Sequence, residues 1–159
     1  MYLFSQSGMD TKAKGDIAEQ AAIFHALKRG WAVLQPIGDR LPYDLVFDIS
    51  GSLIKIQVKS AWPGRSPENY VVDNRRTKTN RKEMVRDTYG LTDFDFALTY
   101  IEPLDLFYVF PCKVFIGYGS EIALVEADKR QRKPRSVKYR DAWDLILQCA
   151  TQDLKPMES

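Results

Sequence analysis

An acid, an amide and an amine stand at positions that two neighbouring strands would bring onto one surface. Residues 42–49 and 53–61 both show the period-two alternation of β-strands, and the Ser-Gly-Ser between them is a turn signal. Asp44 lies on one face of the first run, and Gln57 and Lys59 share a face of the second. The pattern predicts a β-hairpin that presents groups able to hold a metal ion and an anion.

These groups are of the types that phosphodiester hydrolysis requires. A divalent ion supplies much of the charge neutralisation and water activation, and Mg²⁺ prefers one or two carboxylates with waters and substrate oxygens. Asp44 would be the direct ligand of Mg²⁺ (or Mn²⁺), together with the main-chain oxygen of Val58 and the side-chain oxygen of Gln57. Lys59 would orient the attacking water or stabilise the developing charge. Glu19 would act through a metal-bound water if its helix packs beside the hairpin.

Each of these residues also has a purely structural interpretation. Lys59 is equally a surface lysine of a two-faced strand, and Asp44 an acid that caps or pairs locally. Asp48 shares the predicted face of Asp44 and is its main rival, while Asp39, in the turn before the hairpin, is a weaker one. His25, the one histidine of the chain, lies in a predicted helix. We interpret it as a partly buried helix residue, and active sites that need several imidazoles are excluded.

The basic residues are concentrated in two segments of a chain whose formal net charge is only +2. Residues 75–86 contain six lysines and arginines against one acid, and residues 129–140 contain seven against none. Such blocks are often solvated loops, but two of them favour a polyanionic partner. We predict that the first block contacts bases and phosphates of DNA, and that the second contacts the phosphate backbone. The predicted DNA-binding residues are Arg75, Arg76, Lys78, Thr79, Asn80, Arg81, Lys82, Arg86, Arg130, Arg132, Lys133 and Arg135.

The elements that must position these residues begin with a helix. It is predicted over 10–29, and its apolar line is formed by residues near helical spacing, which are Ile17, Ala21, Phe24 and Leu27. Gly30 is the expected residue just past a helix end. A short strand at 31–37 then leads into the hairpin.

Further elements follow the hairpin. We predict a short strand at 70–73, a helix-like stretch that ends near Tyr89 and Gly90, and a second hairpin from 95–101 and 106–110. The chain closes with a helix over 140–151. The residues on its apolar side are Trp143, Ile146, Leu147 and Ala150.

This order indicates an α/β fold with a single mixed β-sheet flanked by helices. With 159 residues, the simplest organisation is one domain over residues 9–159. Residues 1–8 are interpreted as an extension, too short and too uncharged for a signal peptide. No apolar run approaches the roughly 20 residues that span a bilayer, so no membrane partner is expected. Cys112 and Cys149 are interpreted as reduced thiols of a cytoplasmic protein.

Asp44, followed by Gln57-Val58-Lys59 on the next strand and preceded by Glu19 on a helix, resembles the PD-(D/E)XK nuclease superfamily. The resemblance covers roughly residues 10–115 and implies a restriction-endonuclease-like core. Gln57 stands where the family's motif usually has Asp or Glu, and an amide coordinates a metal less strongly than a carboxylate. The family's Pro-Asp pair is loosened here, with Pro42 separated from Asp44 by one residue.

A narrower set is more similar still, the small cyanobacterial homing endonucleases encoded in group I introns. The matching blocks are GDIAE at 15–19, RLPYDLVFD at 40–48, IQVKSA at 56–61, DFALTYI at 95–101 and DLFYVFP at 105–111. The resemblance implies a Mg²⁺-dependent, site-specific endonuclease of double-stranded DNA, acting on nucleoid DNA in the cytoplasm. Because one active site cuts one strand, a double-strand cut implies a homodimer or a dimer-of-dimers tetramer.

Two other functions stay open on the sequence. A structure-selective, junction-resolving nuclease shares the same fold and the same layout of Glu, Asp and Lys. A DNA-binding module in which Gln57 marks lost catalysis would retain the basic blocks and the hairpin.

Overall fold

A mixed five-stranded β-sheet forms the centre of the protein, in a computed structural model that describes residues 11–79, 84–127 and 133–154. The helices are α1 (Thr11–Lys28), α2 (Cys112–Gly117) and α3 (Asp144–Leu154). The strands are β1 (Ala32–Leu34), β2 (Leu45–Ile49), β3 (Ser52–Ser60), β4 (Trp62–Pro63), β5 (Asn69–Asp73), β6 (Arg76–Thr79), β7 (Met84–Asp87), β8 (Phe96–Ile101), β9 (Leu106–Pro111) and β10 (Glu121–Val125). The strand order of the central sheet is β1-β2-β3-β8-β9, and within it only β3 and β8 run parallel.

The predicted hairpin is present as β2 and β3. Ser50 and Gly51 connect the strands and both have positive φ, 54° and 91°, which is the backbone of the tight hairpin turns that match strand twist. Leu45 pairs with Ile56 in the register, and both side chains are buried. Alternation of buried and partly exposed residues along β2 fixes this register, because a slip of one residue would turn the apolar side chains outward.

Helix α1 packs on β3 through alanines rather than through its large apolar side chains. Ala18, Ala22 and Ala26 are fully buried, while Phe24 is 57% exposed and Leu27 is 55% exposed. The predicted apolar line is therefore wrong as the core-facing side of this helix. Alanine has the smallest apolar side chain, so the helix backbone can approach the sheet closely along this row.

The chain between β3 and β8 forms structure beyond the central sheet. A three-stranded sheet has the order β10-β5-β4, and β6 pairs with β7 as a separate antiparallel hairpin. The helix-like stretch predicted before Tyr89 is wrong, because residues 84–87 form β7. Helix α2 and strand β10 were not predicted from the sequence, since Pro111 and two glycines suggested irregular chain there.

Two apolar clusters cover the two faces of the central sheet. One contains the alanines of α1 together with Trp143 and Ile146 of the closing segment, and the other contains Phe110 and Phe115. The predicted apolar side of α3 is present except at Leu147, which is 47% exposed. None of the helices in the described ranges has the length and apolarity that crossing a membrane would take.

Candidate active site

Asp44 lies immediately before β2 and is held against β3 by two hydrogen bonds. Its backbone N–H donates to the carbonyl of Ile56 at 2.8 Å, and its Oδ2 accepts from the backbone N–H of Val58, also at 2.8 Å. Burial raises the pKa of Asp44, opposed by the Val58 N–H and by the charge of Lys59. The carboxylate is thus fixed in position at some cost of desolvation.

Glu19 reaches the same site from α1. Burial raises the pKa of Glu19, and the nearby Asp44 carboxylate raises it further, while a hydrogen bond from Gln35 lowers it. The Gln35 Nε2 lies 3.3 Å from Glu19 Oε1. The packing of Ala18 and Ala22 on the sheet places the two carboxylates near each other, where their mutual repulsion favours a cation between them.

Lys59 completes the charged group from the far end of β3. Its Nζ donates to the main-chain carbonyl of Arg75 at 2.8 Å and lies 5.3 Å from the centre of the Tyr89 ring. Burial raises the pKa of Tyr89, as does the charge of Asp44, which places this phenol beside the same acid. Lys59 is therefore partly enclosed rather than a freely solvated surface lysine.

Gln57 is buried beneath this group, with 8% of its surface exposed. Its Nε2 donates to the main-chain carbonyl of Val58 at 3.2 Å. The amide nitrogen is thus turned toward the Val58 oxygen, which is a predicted metal ligand, and the amide oxygen is the remaining polar atom of the side chain. A carboxylate at this position could not donate that hydrogen bond.

The oxygen atoms described at the site are suited to a divalent ion whose protein ligands carry only two negative charges. Across residues 11–79, 84–127 and 133–154, no group of three or more His, Cys, Asp or Glu side chains is placed to hold a metal. Two carboxylates, from Asp44 and Glu19, come together beside the main chain of Val58, to which both Asp44 and the Gln57 amide are hydrogen-bonded. One or two carboxylates supplemented by waters and substrate oxygens is the ligand set that Mg²⁺ prefers.

The rival acids lie elsewhere. Asp48 is at the turn end of β2, where its Oδ1 accepts the backbone N–H of Gly51 at 2.9 Å and so stabilises the hairpin turn. Asp39 is exposed in the loop before the hairpin. His25 is partly buried, as predicted, with its ring stacked on Trp143, and it hydrogen-bonds to Asp105 through Nε2 at 3.0 Å. The structure gives Asp48 and His25 structural contacts, places Asp39 in an exposed loop, and leaves Asp44 beside Lys59.

The described residues of the first basic block lie on β6, on β7 and directly before β6. Arg75 pairs with Asp73, and the Nη2 of Arg76 donates to the carbonyl of Arg40 at 3.1 Å. The predicted contacts Lys78 and Thr79 lie on β6, and Arg86 lies on β7. The predicted contacts Asn80, Arg81 and Lys82 fall outside the described residues.

The second basic block is described only from Lys133 onward. Lys133 and Arg135 are exposed, and the guanidinium of Arg135 lies 4.7 Å from the centre of the Tyr118 ring. Arg130 and Arg132, also predicted to contact DNA, fall outside the described residues. Whether either block binds DNA stays a prediction.

Three groups at the site were not found from the sequence. Tyr89 borders Lys59 and Asp44, Gln35 bonds to Glu19, and the carbonyl of Arg75 holds Lys59. Gln35 offered a weak signal as the one polar side chain in the run WAVLQPI. Tyr89 offered none, and a main-chain carbonyl carries no side-chain signature.

An acid before one strand, a lysine on the next and an acid on the packed helix lie together on an α/β sheet, in the layout predicted for a nuclease. Residues 9–146 match the family of PD-(D/E)XK endonucleases, and the chain belongs to that family. The solved structure of a bacterial homing endonuclease, I-Ssp6803I, is similar to this chain, with 65% sequence identity and a TM-score of 0.84. The match covers 91% of this chain and 97% of that one. No curated protein matches the chain.

The family membership confirms several predictions made from the sequence. The restriction-endonuclease-like fold is confirmed, and the protein is an endonuclease, thus a hydrolase. Enzymes of this family generally use divalent metal ions. The extent of the domain, residues 9–159, stays a prediction.

Proposed function

We propose that this protein is a homing-type endonuclease that cuts both strands of a specific DNA site with Mg²⁺ or Mn²⁺, in the cytoplasm where nucleoid DNA lies. The observation that carries the proposal is the placement of the Asp44 carboxylate on β3 beside Lys59 and Glu19. The similarity to a bacterial homing endonuclease over 91% of the chain supports the specific, homing character.

The side chains divide the work of phosphodiester hydrolysis. Asp44 and Glu19 would hold the ion, with the Val58 carbonyl and the Gln57 amide oxygen as neutral partners. The bound ion supplies charge neutralisation at the phosphoryl oxygens and lowers the pKa of water. Lys59 donates hydrogen bonds that orient the attacking water and stabilise developing negative charge. Tyr89 limits the movement of Lys59 by bordering its ammonium group.

DNA would lie across the open side of this site. The β6–β7 hairpin is a two-stranded ribbon of the kind that the major groove admits, and the Arg, Lys and Thr residues of its strands are of types that suit base edges and phosphates. Lys133 and Arg135 would contact the backbone. Such phosphate contacts give binding a steep dependence on salt.

A double-strand cut needs a second active site, and we propose that a second copy of this chain supplies it, as a homodimer or a dimer-of-dimers tetramer. The exposed apolar stripe of α1, formed by Ile17, Phe24 and Leu27, suits an isologous contact. In an antiparallel pairing of two α1 helices, Ile17 of one copy faces the partner's Leu27. The same pairing brings Asp16 toward the partner's Lys28, so the charges beside the stripe are complementary.

The decisive experiment is selection of cleaved sites from a random DNA library with Mg²⁺ present. We expect one recovered site with cuts in both strands, and no cleavage by Lys59→Met. Lys55→Met is the matched control, because Lys55 lies on the same strand but donates to the carbonyl of Thr92 at 2.7 Å. Cleavage only of branched DNA would show a junction-resolving nuclease. Specific binding without cleavage would show a DNA-binding module.

A further inference from the structure

The ammonium group of Lys59 is held by the main chain of a segment outside the catalytic hairpin. Its acceptor is the carbonyl of Arg75, at 2.8 Å, and β6 begins at the next residue. A lysine ammonium is a compact charge on a flexible four-carbon stem with three donors. Fixing one donor on a rigid acceptor therefore restricts the directions of the other two.

Arg75 is fixed in turn by Asp73, through three hydrogen bonds. The backbone N–H and Nε of Arg75 both donate to Asp73 Oδ1 at 3.0 Å, and Nη2 donates to Oδ2 at 3.0 Å. This is a two-pronged arginine–carboxylate pair closed by a main-chain bond, a geometry that fixes direction as well as distance. The guanidinium is paired with Asp73, although 37% of the Arg75 side chain stays exposed.

The residue between them anchors the segment to the body of the protein. Asn74 is buried, its backbone N–H donates to the carbonyl of Ser120 at 3.1 Å, and its Nδ2 donates to the carbonyl of Phe115 at 3.0 Å. Asp73, Asn74 and Arg75 thus form a segment held by hydrogen bonds. Asn74 connects it to α2 and to the residue before β10, and the carbonyl of Arg75 accepts from Lys59.

We propose that Asp73 and Arg75 are positioning residues for catalysis, which fix the carbonyl that orients the Lys59 ammonium. This inference rests on the proposed function, in which Lys59 acts on the attacking water. It gives Arg75 a role other than the DNA contact predicted from its place in a basic block. Small displacements of a catalytic group lower rates by up to about 100-fold.

The test is single-turnover cleavage of the selected DNA site at saturating enzyme and Mg²⁺, with DNA affinity measured separately. Asp73→Asn removes one negative charge near a polyanion, so electrostatics alone predict equal or tighter DNA binding. We expect cleavage to be slower by roughly 10- to 100-fold, with the dissociation constant unchanged or lower. Slower cutting with undiminished binding is the signature of a positioning role.

Glu121→Gln is the matched control. Glu121 pairs with Asp73 in the β5–β10 register and its charge acts on Arg75, yet in the described part of the chain it has no hydrogen bond to that side chain. Removing its charge should leave the cleavage rate within about twofold of the wild-type rate. Equal slowing in both variants would overturn the proposal.

Arg75→Gln is the second variant, useful if Asp73→Asn folds poorly, because this side chain is partly exposed. We expect slower single-turnover cleavage and an unchanged salt dependence of binding. If Arg75 is instead a phosphate contact, its removal reduces the slope of log K against log salt by about one and leaves the saturated rate intact. That result would also overturn the proposal.

Failure of this inference and failure of the proposed function give different results. If Lys59→Met cuts as fast as the wild type, the proposed active site is wrong. If Lys59→Met is inactive while Asp73→Asn and Arg75→Gln cut at the wild-type rate, the active site stands and the positioning role alone is rejected.

Discussion

Asp44 is the side chain on which the proposed chemistry depends, because it combines burial with a fixed orientation. The Val58 N–H holds one carboxylate oxygen, and the positive charge of Lys59 offsets part of the desolvation. Glu19 then adds a second negative charge across the site. Electrostatic repulsion between the two acids is relieved by a bound cation, so metal binding and the stability of the folded state are linked.

Replacing Asp44 with Asn tests whether the charge of this side chain is needed for cleavage and whether it lowers the stability of the metal-free protein. The amide keeps an acceptor for the Val58 N–H but loses the charge, so we expect a folded protein whose DNA cleavage falls by about 100-fold or more. Thermal unfolding without metal should occur at an equal or higher temperature than in the wild type, because the repulsion with Glu19 is gone. Calorimetry and plasmid cleavage with Mg²⁺ measure the two effects. Wild-type cleavage by this variant would remove Asp44 from the site.

Replacing Gln57 with Glu tests the unusual amide of the motif. The carboxylate cannot donate to the Val58 carbonyl and adds a third negative charge near Asp44, so we expect destabilisation by about 1–3 kcal/mol without metal. Mg²⁺ should raise the unfolding temperature of this variant more than that of the wild type. Calorimetric scans over a series of Mg²⁺ concentrations measure this difference. If Mg²⁺ raises the unfolding temperature of both proteins equally, residue 57 does not bind the metal.

The sequence could place Asp44, Gln57 and Lys59 together because strand periodicity is a local property. It could not supply Tyr89 or the Arg75 carbonyl, because both come from chain that returns to the site after a long excursion. The assignment of Arg75 to DNA rested on its place in a basic block, and it stays a prediction. Counting charges along a segment identifies a basic block, but it does not show that one member is already paired with an acid two residues away.

At the scale of elements, the alanine face of α1 sets the distance between Glu19 and the sheet. Ala22 is fully buried one turn after Glu19. We expect Ala22→Leu to destabilise the protein by about 1–3 kcal/mol, because the larger side chain has no space against the sheet. The helix must also move outward and take Glu19 with it, so cleavage should fall even where the variant is folded.

Urea unfolding and single-turnover cleavage of Ala22→Leu measure these two changes. Thr11→Leu, an exposed position at the start of the same helix, is the control and should alter neither. Normal stability in the Ala22 variant would contradict the packing described for α1.

Glu126, directly after β10, links the end of that strand to β9, because its carboxylate accepts hydrogen bonds from two side chains. Glu126 accepts hydrogen bonds from Tyr108 and from Arg140, whose Nη2 lies 2.9 Å from Oε1. Burial raises the pKa of Glu126, but these hydrogen bonds outweigh it and hold the pKa below its ordinary value. A lowered pKa contributes stability above the unfolded-state pKa, and that contribution is lost as pH falls through the folded-state pKa.

Glu126→Gln should therefore cost about 1 kcal/mol at neutral pH, a modest value because Arg140 is half-exposed. The difference from the wild type should shrink toward zero as the acid protonates. Urea unfolding at about pH 7 and about pH 3.5 measures it. A difference that is constant over this range would contradict the assignment.

The sequence predicted those elements whose partners are adjacent in the chain. Both hairpins of the central sheet were found, since each pairs consecutive strands. The strand at 84–87 was mistaken for helix because its character depends on pairing with β6, and its four residues show no decisive period. The wrong apolar line of α1 has a different reason. Large side chains suggest burial, but close packing on this sheet selects small ones.

For the whole molecule, the exposed stripe of α1 predicts the oligomeric state. Leu27→Glu places a charge in the proposed isologous contact, so we expect dissociation to monomers and nicking of one strand in place of a double-strand cut. Sedimentation velocity and plasmid nicking report the two effects. Leu91→Glu, at an apolar position of similar exposure away from α1, is the control. If Leu27→Glu has the same sedimentation coefficient as the wild type, α1 does not form the interface between subunits.

The first residue pair of the β6–β7 hairpin offers a place to exchange the hairpin and so to redesign the DNA sequence that the protein recognises. Arg76 and Asp87 are paired across the base of the hairpin. If the segment between them is replaced by another hairpin, the two points where it joins the rest of the protein keep their distance from each other. Asp73 and Arg75, which hold the lysine of the site, lie outside that segment. A grafted hairpin could therefore bring a new sequence preference, while the capacity to cut remains encoded in the recipient chain.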